Sequence, residues 1–203
     1  MKILFISLGC DKNLADSEEM LGLLTGSGHE IVDSEEDADA IVINTCCFIH
    51  DAKEESVNTI LEMAEYKKTG KCKALIVTGC MAQRYKEEIT QEIPEVDAVL
   101  GTTSYGDIVK ALNEAQAGHV FQEFRDINEL PEDSGRRVLT TGGHFGYLKI
   151  AEGCDKHCTY CIIPYARGGV RSLPKAVAVE QTAQLRQEGY TVDAAPKRGY
   201  TLA

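Results

Sequence analysis

The stretch KILFISLGC, residues 2–10, decides the fold. Its start superficially resembles a lipoprotein signal, with one Lys, an apolar run and then Leu-Gly-Cys. The apolar run is too short for that, and Asp11 and Lys12 follow at once. Six β-rich residues with an apolar centre, running into a turn, read instead as a buried first strand. Working outward, Asn13 offers an N-cap, and Leu14, Leu21 and Leu24 mark a helix that ends at Gly26 and Gly28. Residues 29–32 read as a short strand, and ADAIVIN (38–44) as a buried one. Between residues 51 and 68, Val57, Ile60, Leu61 and Ala64 recur at helical spacing. KALIVT (73–78) is a further strand, residues 81–93 a helix closed by Pro94, and 98–100 a short strand. Asp107 caps a last helix that reaches about Ala115. Strands alternating with helices, each strand with an unbroken apolar centre, predict an α/β fold built on a doubly wound parallel sheet.

The order changes further along. Residues 118–143 contain the polar run EFRDINELPEDSGRR and read as a linker after a first domain at 1–117. A new strand at 147–153 opens a second unit (144–174), followed by a divergent tail at 175–203.

Composition bounds the function. Of 203 residues, 43% are hydrophobic, enough for a real core, and the net charge is −11. A protein that grips nucleic acid through its phosphates needs a basic face, so this balance speaks against direct DNA binding and for a basic partner. No apolar run approaches a membrane span, so no membrane association is expected. The chain reads as cytoplasmic, where thiols stay reduced. Eight cysteines there point to metal or catalysis rather than to disulfides.

Three cysteines gain meaning from the fold. Cys10 follows the first strand, Cys46 follows AIVIN, and Cys80 follows ALIVT. In an open α/β sheet the carboxyl ends of parallel strands share one edge, where ligands bind and helix N-termini favour thiolate over thiol. Cys10, Cys46 and Cys80 are therefore expected on one rim as shared ligands of iron–sulfur or zinc. The alternative is three small buried residues near strand ends. Cys47 and Cys72 lack this placement and read as structural.

The second group is GCDKHCTYC (153–161), with cysteines spaced C-x-x-x-C-x-x-C at Cys154, Cys158 and Cys161. A disulfide there leaves an odd thiol. Structural zinc wants four closed ligands, and His157, the one nearby candidate for the fourth, adjoins Cys158 and strains a tetrahedron. Three thiolates suit an iron–sulfur cubane with one iron left open to a substrate or cofactor. Zinc remains the alternative.

GCDKHCTYCIIP resembles the radical S-adenosylmethionine signature. SLGCDKN (7–13), INTC (43–46) and VTGCMAQRY (77–85) are similar to the N-terminal domain of the methylthiotransferases within that family. The resemblance covers about residues 1–174. It implies two four-iron four-sulfur clusters, one held by Cys154, Cys158 and Cys161 together with S-adenosylmethionine. The other would be held by Cys10, Cys46 and Cys80 and present sulfur. It implies that Tyr160 lies against the adenine, against the alternative of a buried packing aromatic. Arg167 and Arg171 also match the pattern, against the alternative of solvated loop arginines. A flavodoxin or ferredoxin would supply electrons.

Asp11-Lys12-Asn13, with Asp16-Ser17-Glu18, resembles the branch acting on an aspartate of a small-subunit ribosomal protein, the twelfth, rather than the tRNA-modifying branch. The expected function is methylthio transfer to the β-carbon of that aspartate. The alternatives are a non-catalytic iron–sulfur-binding fragment and a tRNA adenosine methylthiotransferase. The radical domain of the family is a partial βα barrel, and only its incomplete start is expected here, so the chain reads as truncated and its activity as impaired. From Leu185 on, the tail is similar to the wing of a biotin–protein ligase winged helix. The catalytic residues stay unassigned.

Overall fold

A computed structural model describes residues 1–131, 135, 137–143, 145–187, 189 and 190. The chain runs β1 (Lys2–Ser7), α1 (Asp11–Gly26), β2 (Glu30–Val32), β3 (Ala40–Thr45), α2 (His50–Thr69) and β4 (Ala74–Gly79). It continues through α3 (Cys80–Arg84), α4 (Lys86–Glu92), β5 (Ala98–Leu100), a 3-10 turn (Tyr105–Asp107), α5 (Ile108–Gln116) and β6 (Phe121–Glu123). These strands form one sheet in the order β2-β1-β3-β4-β5-β6, with every pair parallel. The fold is the expected doubly wound α/β sheet.

The core follows from the strand pattern. Every residue of β3 and β4 is buried, because helices cover both faces of the sheet. Alternate side chains serve alternate faces. Val42, Ile76 and Leu100 meet Met20 and Leu24 of α1 and Ile108 and Leu112 of α5. Ile41, Ile43, Leu75 and Val77 meet Ile60 and Met63 of α2, Met81 of α3 and Ile89 of α4. Each fully buried Leu or Ile contributes roughly 2 kcal/mol by leaving water.

Chain direction around the sheet reverses at β1. From β1 the chain winds outward to β2, then crosses back to β3 on the other side of β1. The carboxyl ends of β1 and β3 flank this switch point, where open α/β sheets leave a crevice.

Several expectations are corrected. Helix α1 starts at Asp11 with Cys10 as its N-cap residue, so Asn13 lies inside the first turn, fully buried, rather than capping it. The helix expected over 81–93 is two short helices that break at Tyr85. Strand β6 extends the sheet to Glu123, inside the stretch expected to be a linker. The strand expected at 147–153 is only β7 (Ala151–Glu152), paired antiparallel with β8 (Arg171–Ser172). Helix α6 (Ile163–Arg167) lies between those two strands, and α7 (Lys175–Gln187) follows them. An antiparallel pair is not a βα barrel unit, so the described residues do not display the expected barrel start. The winged-helix-like tail falls mostly on residues outside those described.

Residues 137–140 are strapped to α1 by one buried carboxylate. Glu18 Oε2 accepts from Arg137 Nε at 2.9 Å and Nη2 at 2.6 Å, and Glu18 Oε1 accepts from the Thr140 backbone N–H at 2.7 Å and its hydroxyl at 2.9 Å. Among the described residues, no helix is long and apolar enough to cross a membrane.

Candidate metal centre

Cys10, Cys46 and Cys80 all stand at the carboxyl edge of the sheet. Cys10 is the N-cap residue of α1, with Leu8 and Gly9 between it and β1; Cys46 directly follows β3, and Cys80 opens α3 directly after β4. Thr45 and Gly79 are register partners, so Cys46 and Cys80 continue two adjacent strands side by side. The chain before Cys10 also presses on Cys46. A Cβ at Gly9 would come within 2.7 Å of Cys46 Cβ and 3.0 Å of its Sγ, and Gly9 holds φ at +98°, so only glycine fits. Ser56 of α2 clamps the Cys46 backbone, bonding its N–H at 3.0 Å and its carbonyl at 2.9 Å.

Asn13 ties these strand ends together. Its Nδ2 donates to Leu8 O and Thr45 O, both at 2.9 Å. Its Oδ1 accepts from Arg167 Nη2 and lies 3.6 Å from Cys80 Sγ. The amide orientation is forced, because the two carbonyls only accept and the guanidinium only donates. Asn44 Nδ2 donates to Asn13 O and to Ser17 Oγ, both at 2.9 Å.

Arg167 arrives from α6, beyond the second cysteine group. It is 5% exposed, so it is no solvated loop arginine. Its Nε donates to Cys80 Sγ at 3.3 Å, and its Nη1 pairs with Asp16 at 2.7 Å and Glu152 at 3.2 Å. Lys149 pairs with Asp16 and, at 2.9 Å, with Glu152. Two carboxylates thus meet two buried cations, and the half-exposed Lys12 adds a third at 3.7 Å from Glu152. Burial would raise the Glu152 carboxyl, but Lys149 and Arg167 hold it down at about 2. Burial pushes the Cys80 thiol up, and the Arg167 charge opposes that rise. Arg171 is likewise bound to backbone, donating to Arg167 O at 2.7 Å and Gly169 O at 2.6 Å.

The second group lies in the loop between β7 and α6. The Cys161 N–H donates to Cys158 O at 3.0 Å, and the Cys154 N–H to Gly168 O at 3.0 Å. Gly153 has φ at +74°, and a Cβ there would lie 1.9 Å from Gly169 O. Cys158 is exposed, while Cys154 and Cys161 are half-buried. Tyr160 is 90% exposed, which rules out a buried packing aromatic. Helix α6 docks back on the first unit, where Thr102 Oγ1 donates to Ala166 O at 2.9 Å.

Among the described residues, no three His, Cys, Asp or Glu side chains are placed to hold a single metal ion. Each trio instead offers sulfur alone, spread around a rim or along a loop. Thiolate is a donor that both iron–sulfur clusters and zinc take. Cys47 and Cys72 are buried in the core, Cys47 close enough to Cys46 and Cys80 to feel their charge.

Sequence reasoning passed over Asn13, Asp16, Lys149 and Glu152 as site residues. One signal was available. Asn13, Asp16, Ser17, Met20 and Leu24 fall on one helical stripe, and its first turn is polar where the rest is apolar.

Fold and site together define a doubly wound α/β unit with a thiol-bearing carboxyl edge, joined to a second cysteine loop that docks on it. Residues 2–101 match the family described as Uncharacterized protein family UPF0004. Over 189 residues, 93% of this chain, it is 62% identical to the ribosomal protein uS12 methylthiotransferase RimO of Lachnoclostridium phytofermentans, covering 43% of that protein. It is 47% identical to the protein of the same name from Clostridioides difficile and 47% to that of Symbiobacterium thermophilum, covering 43% and 39% of them. The chain is similar to the RimO methylthiotransferases as a counterpart of their N-terminal part. It spans about two fifths of the length of these relatives. A match over 189 residues runs past Pro174, so α7 lies within it.

Proposed function

We propose that this chain is the cluster-binding part of a radical methylthiotransferase acting on an aspartate of ribosomal protein uS12. In this reading Cys10, Cys46 and Cys80 hold one four-iron four-sulfur cluster, and Cys154, Cys158 and Cys161 hold a second together with S-adenosylmethionine. When bound, these groups supply the reducing electron that splits the cofactor and the sulfur to be inserted. The chain's own residues gather and orient the thiols. Gly9 lets the β1 edge close on Cys46. Asn13 fixes the ends of β1 and β3, and Arg167 brings the second loop's helix to Cys80. Tyr160, free in solvent beside Cys161, offers an open ring face for a purine. The acidic chain suits a basic ribosomal protein, and a flavodoxin or ferredoxin suits the need for an electron.

The observation that carries this reading is the placement of Cys10, Cys46 and Cys80 beyond three parallel strand ends joined through Asn13. Anaerobic reconstitution followed by iron and sulfide analysis tests it: about eight irons per chain are expected, four per cubane. Loss of only half on replacing either trio by serine supports two independent centres, and iron that survives both replacements refutes them. Deoxyadenosine formation from S-adenosylmethionine under reduction then separates an enzyme from a binding module.

A further inference from the structure

We infer that Arg167 is a positioning residue that sets the electronic state of the first cysteine group from the second unit. The inference rests on the reading of Cys10, Cys46 and Cys80 as cluster ligands, and it carries that reading one step further.

The geometry is specific. Arg167 Nε points at Cys80 Sγ at 3.3 Å, while Nη1 and Nη2 are taken by Asp16, Glu152 and Asn13. All three nitrogens therefore have assigned partners, and the guanidinium has no freedom to turn away. Asp16 and Asn13 lie on α1, whose N-cap is Cys10. Asn13 also grips Thr45 O, next to Cys46. One cation thus reaches all three cysteine-bearing strand ends, directly at Cys80 and through Asn13 at the others. Hydrogen bonds to a ligand sulfur and nearby charge are main determinants of a cluster's potential. Arg167 follows Cys161 on α6, so docking of the second loop and tuning of the first centre become one event. The Nε–H is a buried donor, and the acceptor it is given is the sulfur of a proposed cluster ligand.

The test uses the full chain with Cys154, Cys158 and Cys161 replaced by serine, so that only the first centre holds iron. In protein labelled with 15N-arginine and reduced anaerobically, pulsed EPR should detect a 15N coupling that disappears in Arg167→Lys. A redox titration should show a shift to more negative potential in Arg167→Lys and a larger one in Arg167→Gln. Coupling in the unsubstituted-arginine protein together with the shift supports the inference. Absence of coupling, or an unchanged potential at unchanged iron content, overturns it while leaving the cluster reading intact. If Arg167→Gln does not fold, the 15N coupling alone decides. Failure of the triple-serine chain to bind iron overturns the reading and the inference together.

Discussion

Glu18 has no exposed surface, yet its carboxylate takes two hydrogen bonds from Arg137, more than a hundred residues away. Two more come from Thr140. A carboxylate inside a helix face is stable there only because four donors replace its water. Glu18→Ala removes them all and leaves Arg137 with the Tyr147 carbonyl but without its carboxylate. A loss of roughly 2–4 kcal/mol is expected from breaking such a pair, seen as a lower urea midpoint. Limited proteolysis between residues 124 and 150 should quicken in parallel. Unchanged cleavage would show that the strap is held by something else.

Asn13→Asp is nearly isosteric but reverses one function. It replaces the Nδ2 donor with an oxygen facing Leu8 O and Thr45 O, two acceptors. Roughly 1–3 kcal/mol should be lost, the scale of leaving buried polar groups unpaired. Iron held by Cys10, Cys46 and Cys80 should fall, while iron held by Cys154, Cys158 and Cys161 stays. Equal loss at both centres, measured in serine-substituted chains that isolate each, would contradict this local role.

Two glycines of positive φ should respond very differently to alanine. Gly79, at φ +93°, would place a Cβ 2.3 Å from Asn44 Oδ1 and 2.5 Å from Thr45 O. Gly28, at φ +83°, would meet nothing within 4 Å. Gly28→Ala should cost about 1–2 kcal/mol from the left-handed backbone alone. Gly79→Ala adds a clash with backbone that cannot give way, for a total of roughly 2–5 kcal/mol. Urea midpoints compare the two directly, and equal costs would mean that the Gly79 contact relaxes freely.

Thiol reactivity should sort the eight cysteines by position. Burial pushes the Cys47 thiol up to about 12 and also raises Cys72. In the metal-free folded chain at pH 8, iodoacetamide should label exposed Cys10 and Cys158 first and spare Cys47 and Cys72 until unfolding. The same shift has a sign for stability. The folded chain keeps the Cys47 proton above pH 9, where an unfolded thiol has begun to lose it, so the unfolded state binds fewer protons. Stability from this group is complete below about pH 9 and is lost as pH rises toward about 12. Cys47→Ala should flatten that part of the alkaline unfolding curve.

Much of the sheet was legible because its signals are local. β3 and β4 open with unbroken apolar runs, Ala40–Ile43 and Ala74–Val77, and such runs between helices have one common solution. The positions of Cys10, Cys46 and Cys80 at one edge were legible for a related reason: each comes at or just beyond the carboxyl end of a parallel strand. Asn13 was misread as a cap because a short polar residue after a cysteine fits that role equally well, and only tertiary contact shows its amide bonded inward. Asp16, Lys149, Glu152 and Arg167 meet across more than 130 residues of chain, and charge at such separation leaves no periodic trace. β6 was hidden because three residues, Phe-Gln-Glu, carry no pattern of their own and pair only because β5 offers an edge.

The two outermost strands, β2 and β6, are each three residues long. β2 carries Glu30 and β6 carries Glu123, so both borders of the sheet are brief and negatively charged. A foreign strand laid along either border would form only a few ladder bonds and would meet charge repulsion from a like chain. Despite a centre built from continuous Ile, Val and Leu, the molecule is thereby protected against stacking edge to edge into fibrils.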